Sequence, residues 1–168
     1  IIVLDGDYQV SDVEFNNAVT VVVGGGPERA RLTRASSGRV IHVHGSSNVR
    51  LVRLTIDGTG GPGVEVDGTV AALAIDDCIV GPVSGGVGVL ARSGASLRIA
   101  RSRIHDSETG LDLDTQRYRV ENTMVFDNLL TGIDARQAPL TEPALIHVTV
   151  VGNDVGVRCQ TASELVYS

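Results

Sequence analysis

Apolar and polar residues alternate with a period of two in short runs along most of this chain, and the runs recur. One series reads "PGVEVDG", "GGVGVLA", "TGLDLDT", "TGIDARQ" and "VGVRCQT", with glycines at Gly63, Gly86, Gly110, Gly132 and Gly156. A second series contains "VRLVRLTIDG", "LAIDDCIVGP", "LRIARSRIHDS", "YRVENTMVFDN" and "LIHVTVVGND". Its apolar anchors are Ile56, Val80, Ile104, Val125 and Val151, each preceded by another apolar position: Leu51, Ile75, Ile99, Val120 and Ile146. Period two is the signature of strands with one buried face. Each unit of about 21–26 residues therefore predicts three short strands separated by Gly, Asp, Asn and Ser turns.

A unit of this size is too short for a strand–helix–strand crossover, and no segment sustains a 3.6-residue period. The remaining solution is an all-β coil wound on itself, each strand pairing in parallel with its counterpart one turn later. About seven coils are expected, a solenoid roughly 34 Å long at about 4.8 Å per coil. Residues 1–38 read as an irregular first coil, 39–160 as regular coils and 161–168 as an incomplete last coil, all in one domain. Exposed coil ends are open sheet edges. The chain is accordingly expected to be part of a longer product, or to have its ends capped by a partner.

These repeats, above all "GLDLDTQRYRVENTMVFDNLLTGI" (110–133), resemble the right-handed parallel β-helix repeat family, the pectin-lyase-like superfamily. The resemblance covers residues 38–160 and implies a right-handed coil, in keeping with the right-handed crossover preference of parallel strands. It also implies an extracellular or cell-surface location and a polysaccharide partner. Of the family's interior asparagine stack only Asn122 stands in the matching turn, with Arg53, Asp77, Arg101 and Val148 at the other levels. The Gly-His-Gly and paired-Asp signatures of polygalacturonases are missing, as is the Asp-Pro-His-Asp signature of uronan epimerases. No catalytic residue is carried over from the family.

Composition narrows the chemistry. All 14 basic residues are arginine, which excludes Schiff-base and lysine-base catalysis. The formal net charge of −6 argues against nucleic acid as a partner, and no apolar run is long enough for a membrane-spanning helix. Aromatic residues make up only 3%, so the core is Val, Ile, Leu and Ala. Cys78 and Cys159 both fall on inward positions, about 19 Å apart along the axis, too far for a disulfide.

Stacking the first strands aligns two outward columns. One reads His42, Glu65, Gly88, Asp112, Asp134 and Arg158; the other reads His44, Asp67, Leu90, Asp114, Arg136 and Gln160. His42 and His44 with Glu65 and Asp67, flanked by Asp5, form a candidate site for a divalent metal, zinc being suited to the two imidazoles. Asp112, Asp114 and Asp134 are candidate catalytic carboxylates, either as a glycosidase pair or as a calcium-binding group of a lyase. On the middle strands Arg50, Arg98 and Arg119 face outward, and Arg53, Asp77 and Arg101 suggest a charge ladder in the turn that follows. Two functions compete. One is a noncatalytic structural or ligand-presenting module of an exported or surface protein, binding polysaccharide. The alternative is a polysaccharide-active hydrolase or lyase using the acidic first-strand face.

Overall fold

The computed structural model describes residues 1–26, 29–140 and 144–160; the expected last coil, 161–168, lies outside the described residues. Twenty strands and no helix are assigned among them. The middle strands build a seven-stranded sheet from Ile2–Leu4 through Val19–Gly24, Asn48–Val52, Ala72–Asp76, Ser96–Ala100 and Arg117–Glu121 to Leu145–Ile146. The first and third strands of the coils build a thirteen-stranded sheet that folds around the other side of the core. Every pairing is parallel, as in Leu51 to Ile75 to Ile99 to Val120. The chain is a parallel β-solenoid.

Alternation places Val64, Val66, Val89, Leu111, Leu113, Ile133 and Ala135 in the buried interior, as the sequence predicts. Val87 and Val157 are half-buried. Cys159 departs from expectation. It is in register with Ala135 on the inner column yet exposed, because no described coil lies over it. Cys78 is buried, and burial pushes its thiol up to about 11, which makes it unreactive at neutral pH.

Three register expectations need correction. The glycine in line with Gly63 and Gly110 is Gly88, not Gly86. The strand Ile79–Arg92 shifts register between Val83 and Val87, spanning four residues where its partner spans two, Ser107 to Thr109. Two extra residues are thus taken up at that corner. In the last unit the true partners are Leu145, opposite Val120, and Val150, opposite Val125. Ile146 and Val151 sit one position further on.

The corners explain how the backbone stays satisfied. A left-handed residue follows each of the last five middle strands: Arg53, Asp77, Arg101, Asn122 and His147, with φ between 48° and 55°. Immediately after them runs a buried ladder. Leu54 N–H donates to Cys78 Sγ at 3.5 Å, Cys78 N–H to Ser102 Oγ at 3.2 Å and Ser102 N–H to Thr123 Oγ1 at 3.4 Å. Ser102 and Thr123 hydroxyls donate in turn to carbonyls of their own coil. Cys78, Ser102 and Thr123 each accept from the coil before, so the buried amides of Leu54, Cys78 and Ser102 are not stranded.

Asn122 is exposed in its turn. The interior asparagine stack stands at the other corner. There Ser107 N–H donates to Asn128 Oδ1 at 3.1 Å, and both Asn128 N–H and Nδ2 donate to Asn153 Oδ1 at 2.9 Å. Nδ2 also reaches the Phe126 carbonyl at 3.1 Å. Asn128→Leu would leave the Ser107 amide and the Phe126 carbonyl without these partners, at about 1–3 kcal/mol per stranded group. Urea unfolding should show the loss; an unchanged midpoint would mean that water takes over the ladder.

Candidate functional site

Two outer faces carry chemistry. On the first-strand face the outward column reads Glu14, His42, Glu65, Leu90, Asp112, Asp134 and Arg158. Leu90 replaces Gly88 in it, and Arg92 replaces Leu90 in the neighbouring column beside Asp67 and Asp114. Both changes follow from the corner shift. The exchange matters electrostatically, since it inserts a guanidinium among the carboxylates.

The expected carboxylates are brought together and largely engaged. Arg136 donates to Asp112 Oδ2 at 2.5 Å and approaches Asp134 at 3.6 Å. Gln160 donates to Asp134 at 3.2 Å and Gln137 to Asp114 at 2.7 Å. Asp112 differs from its neighbours in that its Oδ1 is buried without a hydrogen-bond partner among the described residues. Burial holds its carboxyl above the ordinary carboxylate range against the pull of Arg136, with a further push from Asp134 and Asp114.

At the other end of the face, His42 and His44 stack with ring centroids 4.3 Å apart and planes at 16°. His42 Nε2 lies 3.2 Å from Asp67 Oδ2. Glu65 is buried, one oxygen held by Arg92 and the other by Arg39 at 3.4 Å. Glu14, absent from the sequence-derived set, pairs with His42 across coils, its Oε1 4.0 Å from Nδ1. The alternation of "DVEFNN" (12–17) carries the signal for it, hidden by the irregularity of the first coil. Asp5 is elsewhere, bonded through its backbone to the Tyr8 hydroxyl, and the coil before His44 presents Asn16 instead.

The middle-strand face carries arginines. Arg50, Ala74, Arg98 and Arg119 follow one another in one column. Ala74 and Ala100, small among long neighbours, leave a notch of about 380 Å³ lined by Arg50, Arg98 and Arg101 around Asp76. A second notch of about 340 Å³ adjoins it through Arg98 and is lined by Arg117, Arg119 and Leu140. Asp76 accepts from Arg50 at 2.7 Å and Arg101 at 2.6 Å. Glu121 accepts from Arg98 at 2.5 Å and Arg119 at 3.0 Å, and these bonds hold its carboxyl below the usual range. Five guanidiniums thus face two carboxylates. The expected charge ladder of Arg53, Asp77 and Arg101 does not form, because Asp77 is taken by Arg29 and Arg101 turns to Asp76.

No helix among the described residues is long and apolar enough to cross a membrane. No curated protein and no solved structure matches the chain significantly. A family model described as "Right handed beta helix region" matches residues 2–167. Parallel coils, stacked interior ladders and that match over nearly the full length agree, and the chain belongs to the right-handed β-helix family.

Proposed function

We propose that this chain is a noncatalytic β-helix module that binds an acidic polysaccharide along its middle-strand face. The observation that carries this is the surplus of guanidinium over carboxylate along the two adjoining notches, on a chain whose net charge is −6. Arg50, Arg98, Arg101 and Arg119 keep 46–61% of their side chains exposed, so their remaining N–H donors are open to a ligand. Guanidinium forks match carboxylate and sulfate geometry in pairs. Their repetition along the solenoid axis suits a polymer better than a single small anion. Such a ligand is consistent with a place outside the cell or at its surface.

A hydrolase or lyase at Asp112 and Asp134 is the second reading, favoured by the burial that raises the Asp112 carboxyl above the ordinary range, the direction a general acid needs. The Arg136 ion pair on Asp112 itself and the contacts that cover Asp134 and Asp114 weigh against it. Affinity electrophoresis in polygalacturonate and in neutral dextran separates the two. Binding should be confined to the acidic polymer, weaken at least about tenfold in Arg98→Ala and fall with added salt. Equal retardation by dextran would overturn the proposal. Release of reducing ends or unsaturated products, lost in Asp112→Asn but kept in Arg98→Ala, would establish the enzyme instead.

A further inference from the structure

The Glu14, His42 and His44 cluster lies on the other face and owes nothing to the glycan reading. His42 stands opposite Glu14, and His44 opposite Asn16. The His42 side chain is only 9% exposed. An ionised carboxylate only accepts hydrogen bonds, so the contact of His42 Nε2 with Asp67 Oδ2 at 3.2 Å places the ring proton of a neutral imidazole on Nε2. Nδ1 is then left as a lone pair. That atom is buried and has no hydrogen-bond partner among the described residues, and the same holds for Nε2 of His44. Two adjacent imidazole nitrogens withdrawn from water and unpaired are costly unless something binds them. Glu14, His42 and His44 each offer a ligand atom within 4.8 Å of the others.

We propose that His42 Nδ1, His44 Nε2 and the Glu14 carboxylate bind a divalent transition-metal ion, with Asp67 as the positioning residue that orients the His42 ring. Two imidazoles and one carboxylate suit zinc or nickel, whereas calcium takes six to eight oxygens. A carboxylate behind a metal-binding histidine is the usual device for fixing its ring and tautomer. His42, Glu65 and Asp67 also converge, but both oxygens of the buried Glu65 are hydrogen-bonded to guanidiniums, whereas the exposed Glu14 is approached by Arg39 only at 3.8 Å, which leaves the Glu65 group the poorer ligand set. Ligand atoms around a tetrahedral ion stand roughly 3.3 Å apart, so loading draws the cluster inward. The half-exposed Glu14 swings in, and the stacked imidazoles tilt out of parallel. The fourth position is left to water.

Calorimetric titration of zinc chloride and of nickel chloride tests this on the whole chain, with thermal unfolding of each metal-free variant reporting its fold. Wild type should bind one ion per chain and gain thermal stability with zinc. His44→Ala should show neither effect. Glu14→Gln, at an exposed position where the fold is safe, should bind at least about tenfold more weakly. Asp67→Asn should lose about 10–100-fold in affinity with unchanged stoichiometry, and Asp67→Glu should restore part of it. No heat in wild type, or Glu14→Gln equal to wild type, would overturn the proposal. So would loss of binding in Glu65→Gln with binding kept in Glu14→Gln.

Discussion

Leu111→Ala should lower the unfolding free energy by about 2–5 kcal/mol. Leu111 is fully buried and stacks between Val89 and Ile133 in the inner column. Strands paired above and below fix its backbone, so the walls of the vacated space cannot collapse freely. The cost therefore combines the lost transfer free energy of the missing methyl groups with an unfilled cavity. Urea unfolding monitored by far-UV circular dichroism checks it. A change below about 1 kcal/mol would show that Leu111 faces outward, and a one-residue slip of that kind would bury Asp112 in its place.

Gly110→Ala should also destabilise the fold, through crowding instead of emptiness. A Cβ at Gly110 would stand 2.6 Å from the Gly132 carbonyl oxygen, 2.7 Å from Val125 Cγ1 and 2.9 Å from Asn128 Nδ2. Backbone on the next coil cannot yield without shearing the ladder, and overpacking of this kind costs about 1–3 kcal/mol, with more where the backbone is pinned. Gly156 belongs to the same column, but among the described residues a Cβ there meets only Val150 Cγ1, at 3.9 Å. Gly156→Ala should accordingly be close to neutral. Comparable unfolding midpoints for the two alanine variants would show that the glycine column is not a packing constraint.

Leu51, Ile75, Ile99 and Val120 show why the architecture is legible in the sequence. Their alternation is local, their spacing is regular and stacked coils bury both, so pattern and burial point to the same fold. The exceptions lie where spacing changes. Gly86 and Gly88 both precede an apolar–any–apolar run, and only the pairing of Val87 with Thr109 decides between them. Leu145 and Ile146 are equally ambiguous, because neither alternation nor residue type separates two adjacent branched residues. The asparagine stack is hidden for another reason: Asn122 and Asn128 both follow strands, and only the path of the corner shows which side chain turns inward. At the candidate metal cluster the two histidines are plain in "RVIHVHG" (39–45). Glu14 comes from a coil without a clear repeat, and the capture of Glu65 by Arg39 and Arg92 depends on long side chains whose reach no spacing rule contains. The arginine trough is half visible. Arg50, Arg98 and Arg119 line up in the sequence, but the notch exists only because Ala74 falls between Arg50 and Arg98, and Ala100 between Asp76 and Glu121.

The register shift between Val83 and Val87 has a consequence for how such a molecule can change. Two residues were accommodated there while Gly88, Val89 and Ala91 rejoined the same inner and outer columns as their neighbours above and below. Coil circumference and face pattern are therefore uncoupled at this corner. A longer loop grafted between Ser84 and Gly85, both exposed, would hang over the first-strand face without rotating any residue of that face out of line. Insertions at this vertex give the solenoid a way to acquire a wall beside Leu90 and Asp112, and so to turn a flat surface into a cleft.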